Sequence, residues 1–196
     1  MLFEGRDVTR LSMPRRSRLG IARSFQITSV FDEFTARENV ALAVQAKARH
    51  HFSLWRDARR DRDLIGPAEA QLERVGLRDL ADVPAAGLAH GQKRQLELAM
   101  ALATKPRVLL LDEPTAGMAA GETEAMAALI GSLKADSLAV LLVEHDMDVV
   151  FSLAARVSVL VYGRVIASGT PAAIRADPLV RSAYLSDDDT GCDGAG

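Results

Sequence analysis

A short apolar run that ends in two acidic residues constrains the fold of this chain more than any other feature. Val108–Leu111 is a run of four aliphatic residues, and Asp112, Glu113 and Pro114 follow it. Such a run is too short for a helix and suits a strand that is buried on both faces of a parallel sheet. Because open α/β sheets bind ligands at the carboxyl ends of their strands, we expect the two acids to lie at a ligand site.

The two acids suit different tasks at such a site. Mg²⁺ takes oxygen ligands and is commonly held together with substrate phosphates, so Asp112 is predicted to hold Mg²⁺ directly or through water. Successive side chains of a strand point in opposite directions, so Glu113 points away from the direction of Asp112. It could orient or polarise an attacking water. The alternative for this segment taken alone is a buried strand without a ligand.

A glycine-containing turn lies upstream of this strand and leads into a predicted helix. Gly91 and Gln92 open the helix, and its apolar face consists of Leu96, Ala99, Met100 and Ala103. The free N–H groups and the positive dipole end of a helix N-terminus favour an anion such as phosphate. The alternative is an ordinary helix cap, but the combination with the acidic strand end favours a functional site.

Both segments resemble motifs of the ATP-binding cassette (ABC) family. Leu88, Ala89, His90, Gly91 and Gln92 resemble the signature motif, and the strand ending in Asp112 and Glu113 resembles Walker B. The family usually has Ser and Gly at the second and third positions of the signature. The loss of the Ser removes one hydroxyl hydrogen bond to a phosphate, but the backbone donors and the dipole remain. The second departure is shared by cassettes that energise branched-chain amino acid uptake.

Three further segments resemble family motifs in the expected order. Gln26 resembles the Q-loop glutamine, whose amide oxygen can ligate Mg²⁺ or hold a water. Thr115–Gly121 resembles the D-loop, with Ala119 where the family usually has Asn or Asp. His145 follows a second predicted buried strand, Leu138–Val143, and resembles the switch histidine of the H-loop. An imidazole there can donate to a γ-phosphate oxygen or to the attacking water; the alternative for His145 is a cap of the next helix.

The resemblance implies an α/β fold, a truncated P-loop NTPase (ABC cassette) with a mainly parallel sheet and an inserted α-helical subdomain. Residues 1–37 would be the remnant of the N-terminal nucleotide-binding core with the Q-loop, and residues 38–105 the helical subdomain that ends in the signature helix. Residues 106–186 would complete the core with Walker B, the D-loop, the H-loop and a C-terminal hairpin and helices. Residues 187–196 form an acidic, small-residue-rich tail that is predicted to be disordered.

Local patterns near the C-terminus predict a hairpin and a capped helix. Gly163 allows a tight turn between Val157–Val161 and Arg164–Ala167. Thr170 is predicted to be the N-cap of the following helix, with Pro171 as its first residue.

Composition and charge disfavour several classes of function. The net charge of −2 and the aromatic content of 5% argue against nucleic acid as a partner. Cys192 is the one cysteine, so there is no disulfide framework. No apolar run reaches the length of about 18 residues that a transmembrane helix requires. The basic stretch that begins at Arg49 could approach anionic headgroups or be a solvated helix; its adjacent His50 and His51 do not share a helix face, which disfavours a metal site.

A phosphate loop of the form Gly-x-x-x-x-Gly-Lys-Ser/Thr is missing, since no Gly-Lys pair occurs in the 196 residues. By resemblance, the chain starts just after the helix that follows this loop. We therefore expect the isolated chain to bind ATP poorly, to hydrolyse it negligibly and to carry an exposed sheet edge. A mis-called start, a split gene and a degraded gene are all compatible with the gap.

The resemblance implies the ATP-binding subunit of an ABC importer for branched-chain amino acids or similar small solutes, with ATP and Mg²⁺ as cofactors. The segments that favour this group are Gly20–Gln26, Gln92–Glu97, Val143–Met147 and Asp177–Leu185. The implied partners are integral membrane permease subunits, a second ABC ATPase subunit in a homo- or heterodimer, and indirectly a periplasmic or extracellular solute-binding protein. The implied location is peripheral, on the cytoplasmic face of the plasma membrane.

Other functions are compatible with the same motifs. One alternative is a degenerate or regulatory cassette without ATPase activity, and another is a soluble ABC protein of translation or repair. A single signature and a short insertion disfavour the soluble protein, which usually carries two cassettes or a long coiled coil. Similar cassettes also serve urea or amide uptake and lipopolysaccharide export.

Overall fold

The structure is a computed structural model that describes residues 1–24, 30–47, 61–136 and 138–185. The chain divides into two compact units, Met1–Glu144 and His145–Gly196. Within the described ranges, none of the helices combines the length and the apolar character needed to cross a membrane. The basic stretch from Arg49 to Arg60, with its histidine pair, lies outside the described residues.

The first unit contains five strands and five helices among the residues described. In chain order these are β1 (Leu2–Phe3), β2 (Arg6–Asp7), α1 (Met13–Leu19), β3 (Ile21–Arg23), α2 (Ala36–Lys47), α3 (Arg62–Arg74), α4 (His90–Ala103), β4 (Val108–Asp112), α5 (Ala120–Ser132) and β5 (Ala139–Val143). Short 3-10 turns lie at Arg78–Leu80, Ala85–Gly87 and Leu133–Asp136.

A three-stranded parallel sheet in the order β3-β4-β5 forms the centre of this unit. Leu109 on the middle strand pairs with Ala22 of β3 on one side and with Val140 of β5 on the other. Leu109 and Leu111 are buried, whereas the alternate positions of β4 are only half-buried. The predicted strand at Val108–Leu111 is therefore present, but one of its faces is covered more completely than the other.

The outer strand β5 differs from the fully buried strand predicted at Leu138–Val143. It begins at Ala139, and the side chains of Leu141 and Val143 are 60% and 54% exposed. The prediction of burial was wrong because an apolar run shows that a strand is favoured but does not show what covers each of its faces. Apolar side chains thus remain on the surface at this end of the described sheet.

Helices α2, α3 and α4 pack against one another. Their contacts bury apolar residues from each helix: Val40, Ala68, Leu72, Leu96 and Ala99. The helices lie where the inserted helical subdomain was predicted, and the exact bounds of that subdomain stay a prediction.

The second unit is a hairpin with short helices around it. Its elements are α6 (Met147–Leu153), β6 (Val157–Val161), β7 (Arg164–Gly169), α7 (Pro171–Ala176), α8 (Pro178–Val180) and a π-helical turn at Arg181–Leu185. The buried core of the unit is apolar: Val157, Val159, Ala167, Ile174 and Val180.

The predicted hairpin is confirmed, since β6 and β7 pair in antiparallel fashion across Tyr162 and Gly163. Both turn residues have positive φ, 48° and 75°. Two-residue hairpin turns of this kind match the twist of the strands, and glycine adopts the conformation without strain.

The predicted cap of α7 is also confirmed. The Thr170 hydroxyl oxygen accepts a hydrogen bond from the Ala173 N–H at 3.3 Å, and Pro171 is the first helical residue. Replacing Thr170 with Ala removes this acceptor, so we expect the free energy of unfolding to fall by about 1 kcal/mol. Urea denaturation of wild type, Thr170→Ala and Thr170→Ser measures the effect. Thr170→Ser keeps the hydroxyl and should lie near wild type; equal losses for both variants would contradict the capping role.

Candidate functional site

The predicted metal ligand Asp112 lies at the carboxyl end of the central strand β4 and pairs in register with Val143 of β5. Its carboxylate is 27% exposed and forms a 3.1 Å ion pair with the Arg23 guanidinium at the end of β3. The Asp112 N–H donates to the Ser24 hydroxyl oxygen at 3.3 Å. Parallel strands thus bring together polar groups from two strand ends at this edge of the sheet.

The Asp112 site fits a cation that is shared with a phosphate ligand. The Asp112 carboxylate forms an ion pair with the guanidinium of Arg23, so its surroundings already accommodate a positive charge beside it. No group of three or more His, Cys, Asp or Glu side chains suited to a metal occurs in the described part of the chain. Mg²⁺ is commonly held by one or two carboxylates together with waters and substrate phosphates, so a single carboxylate here agrees with that mode of binding.

Glu113 has a left-handed backbone conformation, with φ of 47°. This conformation costs a non-glycine residue about 1–2 kcal/mol, and such strain persists where the surroundings fix the chain. The Glu113 N–H donates to the Val143 carbonyl oxygen at 2.9 Å, which ties the turn to the end of β5. The backbone therefore leaves the strand geometry at Glu113, immediately after the predicted metal ligand.

A second contact between the two strand ends was not predicted from the sequence. Thr115 is 7% exposed, and its N–H and hydroxyl both donate to Oε1 of Glu144, at 3.1 Å and 2.5 Å. The signal in the sequence was an acidic residue directly after the strand that neighbours β4. Local spacing does not reveal the role of Glu144, because its partner is 29 residues away in the chain.

The predicted signature segment forms the start of α4. The helix begins at His90 with Ala89 as its N-cap, and the Ala89 N–H donates to Oε1 of Gln92 at 3.0 Å. An alanine side chain has no acceptor, so only the Gln92 half of a reciprocal cap is present. Leu88 and Gly91 are buried, whereas Ala89 and His90 are exposed, so the N-cap and the first residue of the helix are open to solvent.

Glu122 links the signature helix to the predicted D-loop. A Cβ added to Gly91 would lie 2.6 Å from Oε1 of Glu122, so the Glu122 carboxylate lies close against Gly91 and a larger residue there would displace it. The other oxygen of Glu122 accepts a hydrogen bond from the Ala119 N–H at 3.1 Å, at the start of α5. One carboxylate therefore lies at the N-terminal ends of two helices, where negative charge is favourable. This contact could not be predicted from local spacing, because Gly91 and Glu122 lie on different helices.

Gln26 and His145, two further predicted site residues, stay without a described position relative to Asp112 and Glu113. Gln26 lies outside the described residues. His145 is the first residue of the second unit. The alternative that His145 caps the next helix is wrong, because the cap of α6 is Asp146, whose Oδ1 accepts the Asp148 and Val149 N–H groups at 3.0 Å and 3.1 Å. A common cleft for Gln26, the two acids and His145 stays a prediction.

A groove of about 340 Å³ lies between α2 and α3. Its lining is partly apolar, from Ala41 and Leu42 of α2 and from Leu64 and Ile65 of α3. The charged side chains of Arg37 and Asp82 also line it. Arg37 is ion-paired with Asp82 at 2.5 Å and with Glu69 at 3.2 Å. The groove thus combines apolar area with fixed charges, which suits a peptide segment of a partner protein better than a small anion.

Comparison with known proteins matches these features to one family. Residues 1–116 match the family model described as "ABC transporter", and residues 164–185 match the model described as "Branched-chain amino acid ATP-binding cassette transporter". The high-affinity branched-chain amino acid transport ATP-binding protein BraF of Pseudomonas aeruginosa is 37% identical over 191 residues, which cover 94% of this chain and 75% of BraF. The corresponding protein LivG of Escherichia coli (strain K12) is 37% identical over 177 residues, which cover 87% of this chain and 69% of LivG.

The fold is shared with solved cassettes. An ATP-binding cassette of an ABC transporter, solved in its ADP conformation, superimposes with a TM-score of 0.77 at 26% sequence identity, over 94% of this chain and 75% of that structure. The predicted α/β cassette fold is thereby confirmed. Since the family model alone spans more than half of the sequence and the relatives extend the match to the rest, this chain belongs to the ABC transporter family.

Proposed function

We propose that this chain is the ATP-binding subunit of an ABC importer and couples ATP hydrolysis to uptake of branched-chain amino acids or similar small solutes. The observation that carries the substrate class is the match of residues 164–185 to the branched-chain amino acid cassette model. That segment contains β7, α7 and α8 and lies outside the nucleotide-binding motifs. Similarity there distinguishes this group from ABC ATPases in general.

The start of α4 is proposed to bind phosphate of an ATP held by a second ABC ATPase subunit, in a homo- or heterodimer. Leu88, Ala89, His90, Gly91 and Gln92 would supply backbone N–H donors and the positive end of the helix dipole. The exposure of Ala89 and His90 supports access from a partner.

The end of β4 is proposed to carry the hydrolytic groups. Asp112 and Gln26 would hold Mg²⁺, which neutralises phosphate charge when bound. Glu113 would orient or deprotonate the attacking water, and His145 would donate a hydrogen bond to the γ-phosphate or to that water. The left-handed turn at Glu113 supports its separate role, because it moves this residue out of the strand geometry that Asp112 follows.

The groove between α2 and α3 is proposed to receive a cytoplasmic segment of an integral membrane permease. Its apolar walls and the fixed charges of Arg37 and Asp82 support a protein partner. Such an attachment would place the chain on the cytoplasmic face of the plasma membrane as a peripheral subunit. A solute-binding protein outside the membrane would act on this chain only through the permease.

Uptake measurements test the proposed function. Deletion of the gene in its own organism should reduce uptake of radiolabelled leucine, isoleucine and valine at least tenfold, and wild-type protein should restore it. Protein with Asp112→Asn should not restore it, because the site would lose its charged metal ligand. Uptake of an unrelated amino acid serves as the control. Unchanged leucine, isoleucine and valine uptake in the deletion strain would contradict the proposal.

A further inference from the structure

Three hydrogen bonds join the turn after β4 to the end of β5. The Glu113 N–H donates to the Val143 carbonyl oxygen at 2.9 Å. The Thr115 N–H and hydroxyl donate to Oε1 of Glu144 at 3.1 Å and 2.5 Å. Backbone and side-chain contacts thus hold the turn on both sides of Pro114.

The contact between Thr115 and Glu144 lies two residues after Glu113, where it can fix the direction in which the Glu113 side chain points. The left-handed conformation of Glu113 is strained, and it persists only if the residues around it are held in place. The ring of Pro114, the residue after Glu113, fixes its own φ angle at about −65°. Thr115 is the next anchoring point, and it is buried and bonded twice to the same carboxylate oxygen. Release of Thr115 would remove two of the hydrogen bonds that hold this turn.

A carboxylate is better suited to this contact than other side chains. Two donors converge on one oxygen, and a carboxylate oxygen can accept both hydrogen bonds. Hydrogen bonds to an ionised acceptor are shorter and stronger than bonds between neutral groups. The half-buried position of Glu144 adds to this effect, because water competes less for the acceptor.

We propose that Glu144 is a positioning residue for ATP hydrolysis, and that its bonds to Thr115 hold the turn which directs the Glu113 carboxylate. This inference rests on the proposed function, in which Glu113 acts on the attacking water. Glu144 does not itself touch the reacting atoms in this proposal. Its loss should therefore lower the rate of the chemical step and leave nucleotide binding nearly unchanged.

Amide hydrogen exchange in the isolated chain tests the contact itself. Wild type and Glu144→Ala are labelled with ¹⁵N, and exchange of the Thr115 amide is followed by NMR. We expect exchange to be at least tenfold faster in Glu144→Ala, while amides of α5 keep their wild-type rates. Equal Thr115 exchange rates in both proteins would overturn the inference.

Steady-state ATP hydrolysis in the assembled transporter tests the role. Glu144→Ala and Thr115→Val should each lower kcat at least tenfold and change KM for ATP by less than about twofold. Glu144→Gln and Thr115→Ser keep part of the contact and should recover part of the rate. The double variant Glu144→Ala/Thr115→Val should be no slower than the slower single variant, because both changes remove the same bonds. Glu124→Ala, an exposed acid on α5, is the matched control.

A parallel Glu113→Gln variant separates failure of the inference from failure of the proposed function. If Glu113→Gln abolishes hydrolysis and Glu144→Ala keeps kcat within twofold of wild type, the positioning role is wrong and the proposed function stands. If Glu113→Gln keeps the wild-type rate, the proposed role of Glu113 fails and the inference fails with it. If the fold-losses in kcat of the two single variants multiply in the double variant, the inference is also overturned, since Thr115 and Glu144 would then act independently.

Discussion

Replacing Glu113 with Gln is expected to reduce ATP hydrolysis by the assembled transporter about 10²- to 10⁴-fold, the range contributed by a positioned general base. The amide has nearly the shape of the carboxylate, but it cannot accept a proton from the attacking water. The left-handed backbone of Glu113 and its N–H bond to Val143 do not depend on the carboxylate, so the turn should be retained. The loss should therefore appear in kcat and not in nucleotide affinity.

Phosphate release and nucleotide binding by the same preparation measure the two quantities. Glu124→Gln makes the same chemical change at an exposed position of α5 and should hydrolyse ATP at the wild-type rate. Retention of more than a tenth of wild-type kcat in Glu113→Gln would refute the base role. Parallel loss of nucleotide binding would instead show that Glu113 supports the ligand and not the water.

Replacing Asn39 with Asp is expected to lower the free energy of unfolding by about 3 kcal/mol or more, the cost of several unpaired buried polar groups. Asn39 is fully buried. Its Oδ1 accepts the Phe31 N–H at 2.8 Å, and its Nδ2 donates to the carbonyl oxygens of Phe31, Phe34 and Thr35 at 3.0, 3.2 and 3.0 Å. An aspartate would direct an acceptor at three carbonyl oxygens and bury a charge.

The effect of this substitution should depend on pH with a definite sign. Burial raises the pKa of the new carboxyl above its value of about 3.9 in the unfolded chain. The folded state therefore binds the proton more tightly, and the stability of the variant is highest below that unfolded-state pKa and falls as pH rises through the folded-state pKa. Protonation also restores one donor toward the carbonyl oxygens.

Urea denaturation at pH 4 and pH 7 measures both parts of the Asn39 prediction. Gln95→Glu is the control, because it makes the same amide-to-acid change at a half-buried position of α4. The control should cost less than about 1 kcal/mol, as is usual for substitutions away from buried networks. A loss for Asn39→Asp no larger than that of the control would rule out the buried network as a source of stability.

Features that depend on neighbouring residues in the sequence could be predicted from it. The hairpin at Gly163, the cap at Thr170 and the strand that ends in Asp112 are each encoded within a few residues. An apolar run, a residue that tolerates positive φ or a hydroxyl before a proline is sufficient for each. The family motifs identified the cassette fold for the same reason, since each motif is short and continuous.

Features that depend on distant residues could not be predicted in the same way. Glu144 lies 29 residues from Thr115, and Glu122 lies against Gly91 of another helix. Neither pair follows from local spacing, because the contact exists only after strands and helices have packed. The exposure of β5 could not be predicted for a related reason, since an apolar sequence does not show which faces of a strand other residues cover.

The exposed side chains of Leu141 and Val143 have a practical consequence for work with the purified protein. They lie on β5, one of the two outer strands of the β3-β4-β5 sheet among the residues described, where exposed apolar side chains favour pairing with another chain. Preparations of the isolated chain will therefore self-associate as concentration increases. Mild detergent, or a lysine substituted at Leu141, will slow their precipitation.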